Sequence, residues 1–153
     1  MKQMFTGFIV ALALAGCQPA MPDQNINTIT VASSQDFNAT EASLIDALAS
    51  RNLKLFTVVD HGAGATSVGE DIGKSKLFIF GNPKVGTPIM AEAPALGLEL
   101  PMKILINDAG GSVQLHRPDV AARFRAYGAV NQDARLAKVD QTLTAIMTEA
   151  AGK

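Results

Sequence analysis

The sequence has no tryptophan, one tyrosine, one cysteine and two histidines in 153 residues. Each shortage removes a class of function. With no tryptophan and one tyrosine, an aromatic-lined platform on which nucleic-acid bases stack is not expected. A net charge of −1, from 13 basic and 14 acidic residues with no run of like sign, denies the clustered cations that grip a phosphate backbone. A mildly basic stretch, residues 117–138, is interrupted by Asp119 and Asp133 and reads as solvated surface. One cysteine has no disulfide partner. Two histidines and one cysteine do not complete a closed zinc site of the usual kind. There is no Gly-x-Ser-x-Gly elbow for a hydrolase and no Gly-Lys-Ser/Thr ending for a phosphate loop. The methionines after Met1 and Met4 are scattered, as core filler is, and no cofactor is implied. What remains is 48% hydrophobic and 18% charged, the composition of one globular domain large enough for a core of its own.

The N-terminus is the most specific segment. Lys2 supplies a positive start, and residues 4–15 form an apolar run of 12, long enough for a signal peptide and too short to span a bilayer. The run ends in Leu14-Ala15-Gly16-Cys17, which resembles the lipobox of bacterial lipoproteins. That resemblance implies removal of residues 1–16 and acylation of Cys17; the other reading is a plain secretory signal with an incidental thiol. Acylation would consume a lone thiol that an oxidising compartment makes a liability, and several acyl chains would hold the protein to a membrane where one would not. Gln18, which is not Asp, resembles the sorting position of outer-membrane lipoproteins in Gram-negative hosts, facing the periplasm. Residues 17–27, with Pro19 and Pro22, read as a tether in the cell envelope.

The rest predicts a single α+β domain over residues 28–151. Ile29-Thr30-Val31 begins a first strand. Asn38, with Glu41 three residues on, has the form of a capping box. Ala42, Leu44, Ile45, Leu48 and Ala49 give the following helix its apolar stripe, and Asn52 can take the left-handed conformation that ends it. Residues 53–59 predict a strand with Leu53, Leu55, Thr57 and Val59 on one face, followed by a glycine-containing loop at 60–65. Leu77-Phe78-Ile79-Phe80 is apolar on both faces, as in a central strand covered on each side. Thr87 before Pro88 predicts the start of a short helix that Pro94 stops. Residues 102–107 and 112–116 predict a hairpin across Asp108-Ala109-Gly110-Gly111. Helices follow at 118–127, closing at Gly128, and at 133–150, where Leu136, Val139, Leu143, Ile146 and Met147 form a stripe that must dock. Adjacent strands imply a largely antiparallel sheet.

Three segments resemble a bacterial and archaeal family, domain of unknown function 302. They are Asp60-His61-Gly62-Ala63-Gly64-Ala65, the run Phe80-Gly81-Asn82-Pro83-Lys84-Val85-Gly86-Thr87-Pro88-Ile89-Met90, and Leu100-Pro101-Met102-Lys103-Ile104-Leu105. Gly62 stands where the family pattern has alanine, and Asn52 replaces its helix-ending glycine. The resemblance implies a curved antiparallel sheet backed by helices, similar to the TATA-binding-protein-like fold, and fold alone carries no function.

Two loops are candidates for a site. His61 lies beside Asp60, which could orient it for acid–base work; the alternative is a histidine that bonds its own loop. The loop at residues 81–87 offers close backbone approach at its glycines, the amide of Asn82, the cation of Lys84 and the hydroxyl of Thr87; the alternative is a rigid connection with Asn82 and Thr87 spent on capping. A metal shared by His61 and His116 with Asp60 or Asp108 is a weaker reading. With the two loops at one end of the sheet, the residues favour a non-catalytic domain that binds a small ligand or an envelope protein. The alternatives are an enzyme with His61 as general base and Asn82 or Lys84 stabilising negative charge, or two structural loops serving the fold or a homo-oligomer contact.

Overall fold

The computed structural model describes residues 28–108, 110–128 and 133–153. The segments read above as signal peptide (1–16), lipidated Cys17 and tether (17–27) lie outside the described residues, as does Ala109 of the hairpin turn.

Five strands form one antiparallel sheet: β1 (Thr28–Ala32), β2 (Lys54–Asp60), β3 (Ser75–Gly81), β4 (Met102–Asp108) and β5 (Val113–Pro118), in the order β1-β5-β4-β3-β2. The two-residue period of each strand divides it into two faces. One carries Phe78, Phe80, Ile104, Ile106, Val113 and Leu115, all buried. Helices α1 (Phe37–Ser50) and α5 (Asp133–Ala150) cover that face with Leu44, Leu48, Leu136, Leu143, Ile146 and Met147. The expected stripe of α5 therefore docks, Val139 included as a part-buried member. Beyond α5 the chain is fastened as well: Ser34 N–H donates to the Ala151 carbonyl at 2.9 Å.

Among the described residues no helix covers the opposite face, and there Leu77, Ile79 and Leu105 are half-buried. The third strand is thus internal in the sheet, and among the described residues helices cover one of its faces, not both.

Local chemistry explains where several elements begin. Helix α1 is capped by Asp36, whose carboxylate accepts from Ala39 N–H at 2.9 Å, and not by Asn38. Starting there brings Phe37 into the first turn and buries it in the core. Asn52 ends the segment at φ 53°, the left-handed conformation its side chain tolerates. In β2 a register shift between Leu55 and Thr57 sets Leu55 opposite Phe80 but Thr57 opposite Ile79. Leu55 and Thr57 therefore face opposite sides, which an unbroken alternation could not produce. The loop expected at 60–65 is a short helix, α2 (His61–Thr66), capped by Asp60.

Gly62, where the family pattern has alanine, is explained by close packing. A Cβ there would stand 2.7 Å from the Gly73 carbonyl oxygen, so the glycine lets the chain at residues 73–75 lie against α2. The hairpin from β4 to β5 forms as read, with Gly110 and Gly111 at positive φ. Helix α4 (Val120–Ala126) is capped by Asp119 and closes before Gly128 at φ 89°.

Arg117 is the largest departure from the sequence reading. Read as part of a solvated basic stretch, it is fully buried, because it continues the inward alternation of Val113 and Leu115. Its guanidinium reaches α5, where Nη2 donates to Thr144 Oγ1 at 3.0 Å and lies 2.8 Å from Asp140 Oδ1.

Candidate ligand-binding site

Helix α3 (Pro83–Glu92) begins earlier than its proline pattern suggested. Asn82 is the cap, its Oδ1 accepting from Lys84 N–H at 3.0 Å, and Pro83 takes the first helical position. Pro88, expected at a helix start, sits inside the helix, and Thr87 is not the cap.

Placed this way, α3 forms one wall of an apolar cavity of about 340 Å³. Pro83, Gly86, Ile89 and Met90 present one face of α3 to it. Arg135, Lys138, Val139 and Thr142 present one face of α5 from across the opening. Phe80 and Met102, paired across β3 and β4, belong to its sheet side, and Leu100 and Pro101 enter from the segment before β4. Phe56, at the β2 irregularity, lines it while remaining 44% exposed. The size lies at the lower end of ordinary small-molecule pockets, roughly 300–1,000 Å³. An apolar body entering it would leave water at about 0.8 kcal/mol per buried CH₂.

Two of the three segments that carry the family resemblance, residues 80–90 and 100–102, therefore converge on this cavity from separate parts of the chain. Residues 29–150 match the family described as Domain of unknown function DUF302. The chain belongs to the DUF302 family.

A crystal structure of an uncharacterized conserved DUF302 protein from Bacillus stearothermophilus has the same fold, with a TM-score of 0.75 at 17% identity. The likeness covers 82% of this chain and 98% of that one. Among curated proteins, the Fluoride-specific ion channel FluC 1 of Brucella suis biovar 1 (strain 1330) is 42% identical over 73 residues, 47% of this chain and 29% of that protein. FluC 1 of Brucella abortus biovar 1 (strain 9-941) matches at the same identity over 27% of its length. The chain thus spans under a third of these relatives. Among the described residues, no helix is long and apolar enough to cross a membrane.

The third DUF302 segment lies elsewhere. Lys54 pairs with Gly81, and Asp60 with Lys76, so β2 ends where β3 begins. At about 3.3 Å per residue, His61 and Asn82 stand roughly 20 Å apart at opposite ends of the sheet. The expectation that the two loops share one end is wrong, and no active centre can combine His61 with Asn82 or Lys84. His61 is exposed at the first position of α2, and the Asp60 carboxylate that could have oriented it accepts from Ala63 N–H at 2.8 Å. Beside α2 is a polar cavity of about 450 Å³ whose charged groups are already occupied. Asp71 accepts from Gly73 N–H, Lys76 pairs with Glu41 at 2.8 Å, and Lys74 lies over the Phe37 ring.

Of the four candidate residues, Asn82 and Thr87 line the apolar cavity, whereas His61 and Lys84 do not. Lys84 is exposed on α3. The sequence reading missed Phe56, Lys138 and Val139 as lining residues; only Val139 carried a signal, as a member of an apolar stripe.

His116 is three strands away from β2, with β3 and β4 between, which also separates it from His61 by about 14 Å across the sheet. Among the described residues no group of three His, Cys, Asp or Glu could hold a metal. His116 lies on the face opposite the buried one and ties three strands together. Its Nε2 donates to Asn107 Oδ1 at 2.7 Å, and Thr30 Oγ1 donates to its Nδ1 at 2.9 Å, in the neutral tautomer these partners select.

Burial lowers the His116 pKa below its ordinary value of 6.5. The unfolded chain then binds the proton more readily, so this contribution to stability is complete above pH 6.5 and is lost as pH falls below it. Urea midpoints measured at pH 7.5 and 5.5 are expected to fall further in the parent than in His116→Gln. Equal slopes in the two proteins would remove His116 from the pH response.

Proposed function

We propose that this DUF302 protein is an exported, lipid-anchored envelope protein whose domain binds a small apolar ligand without transforming it. The observation that carries the ligand reading is the 340 Å³ cavity, a largely apolar space to whose wall two family signature segments both contribute. Signature residues at 80–90 and 100–102 thereby acquire a common task that neither segment has alone. The absence of a shared centre for His61 and Asn82 weighs against the enzyme reading. The curated relatives are named as fluoride-specific ion channels, and an apolar cavity is poorly suited to a small hydrated anion.

The anchor reading rests on Leu14-Ala15-Gly16-Cys17 and on the apolar run before it. In the host, Cys17→Ser is expected to move the protein from the membrane fraction to the soluble one. A variant that stays membrane-bound with its signal removed would count against lipidation.

The ligand reading is tested on the domain from Asp23 onward, since 98% of the crystallised Bacillus stearothermophilus chain lies within the shared fold and the core residues all lie within this span. The neutral dye N-phenylnaphthylamine is expected to brighten with the parent. It should not do so with Val85→Trp, which sets an indole at the cavity from a position that is 43% exposed. Equal brightening by both proteins, or none by either, would overturn the assignment of this cavity.

A further inference from the structure

The charges at the cavity are of one sign. Among the described residues the ionisable groups that line it are Arg135 and Lys138, less than one turn apart on α5, and no carboxylate lines it. Lys54 adds a third cation, its Nζ lying 5.6 Å from the centre of the Phe56 ring. Arg135 is already engaged with another group, whereas Lys138 pairs with no carboxylate among the described residues. The helix places Lys138 one turn before Thr142, at the edge where the apolar lining meets solvent.

We propose that the occupant is a single-chain aliphatic carboxylate of medium length, with its tail in the cavity and its carboxylate at Lys138. This rests on the ligand reading above and adds the class of ligand. The tail satisfies the apolar walls. The anion meets a mouth where a cationic head would be repelled and a neutral head would leave the charge unused. A cavity of 340 Å³ suits one chain of modest length, not the two chains of a membrane phospholipid.

Decanoate, decanol and decyltrimethylammonium, each competing with N-phenylnaphthylamine on the domain from Asp23 onward, separate these features. Decanoate is expected to displace the dye at the lowest concentration, with decanol about five-fold weaker, the effect of one surface ion pair near 1 kcal/mol. Lys138→Gln should weaken decanoate by the same factor and leave decanol unchanged; Lys138 is exposed, so the fold tolerates the change. If decanol equals decanoate and Lys138→Gln alters neither, the carboxylate assignment is overturned while the apolar-ligand reading stands. If decyltrimethylammonium binds best, the sign is wrong. If the dye itself finds no site in the parent, the ligand reading falls first.

Discussion

Asp140→Ala is expected to destabilise the domain by about 3 kcal/mol, because it strands a buried guanidinium. The Arg117 side chain is 1% exposed, and Asp140 at 2.8 Å is the one carboxylate paired with it among the described residues. Without Asp140 the charge retains only Thr144 Oγ1 and the Pro118 carbonyl, neither of which is anionic. Asp140 is itself 35% exposed, which keeps the expected loss at the lower end of the usual range of about 3–5 kcal/mol. For a domain of this size the shift in Tm is about 10 °C.

Deleting the charge along with its partner should behave differently. Arg117→Met with Asp140→Leu removes both desolvation costs together, and such replacements are often neutral or stabilising by about 1–4 kcal/mol. Urea denaturation of the two singles and the double closes the cycle. A loss under about 0.5 kcal/mol for Asp140→Ala would mean that water reaches Arg117 and that its burial is overstated.

Arg117 also shows what was legible in the sequence and what was not. The alternation Val113, Leu115, Arg117 was there to read, but charge composition outweighed periodicity and assigned the residue to the surface. The same competition explains two displaced helix starts. Asp36 and Asn38 both cap well, and burial of Phe37 decided for the earlier one. Pro83 and Pro88 are both preceded by a capping residue, and the chain uses Asn82–Pro83, leaving Pro88 in the helix interior. Where one local rule acted unopposed the reading held, as at Asn52, in the hairpin at Gly110-Gly111, and along the stripe of α5. The β2 register shift left no mark in a run of residues that all suit a strand. The cavity was beyond local rules altogether, because residues 80–90, 100–102 and 135–142 meet only through tertiary packing.

Phe78 and Phe80 test that packing directly, since they sit on one strand and one face, and both are fully buried. Phe78 lies within the core, opposite Ile104, and does not line the cavity. Phe80, two residues on, has core on one side and the cavity on the other. Truncating either to alanine removes most of an aromatic side chain, a change that typically costs about 3–5 kcal/mol, and the spread follows how many neighbours are lost and how well the site collapses. Phe78→Ala is therefore expected near 5 kcal/mol. Phe80→Ala is expected nearer 3 kcal/mol, because the space it vacates adjoins the cavity and can be refilled from it. Equilibrium urea unfolding reads the difference, with Phe78→Leu and Phe80→Leu as milder versions should an alanine variant not fold. The two phenylalanines should also part company in binding. Phe80→Leu enlarges the cavity and is expected to shift the preferred alkyl carboxylate toward longer chains, whereas Phe78→Leu should leave that preference where it was. Equal stability losses and an unchanged chain-length preference in both would show that the space beside Phe80 is closed in solution.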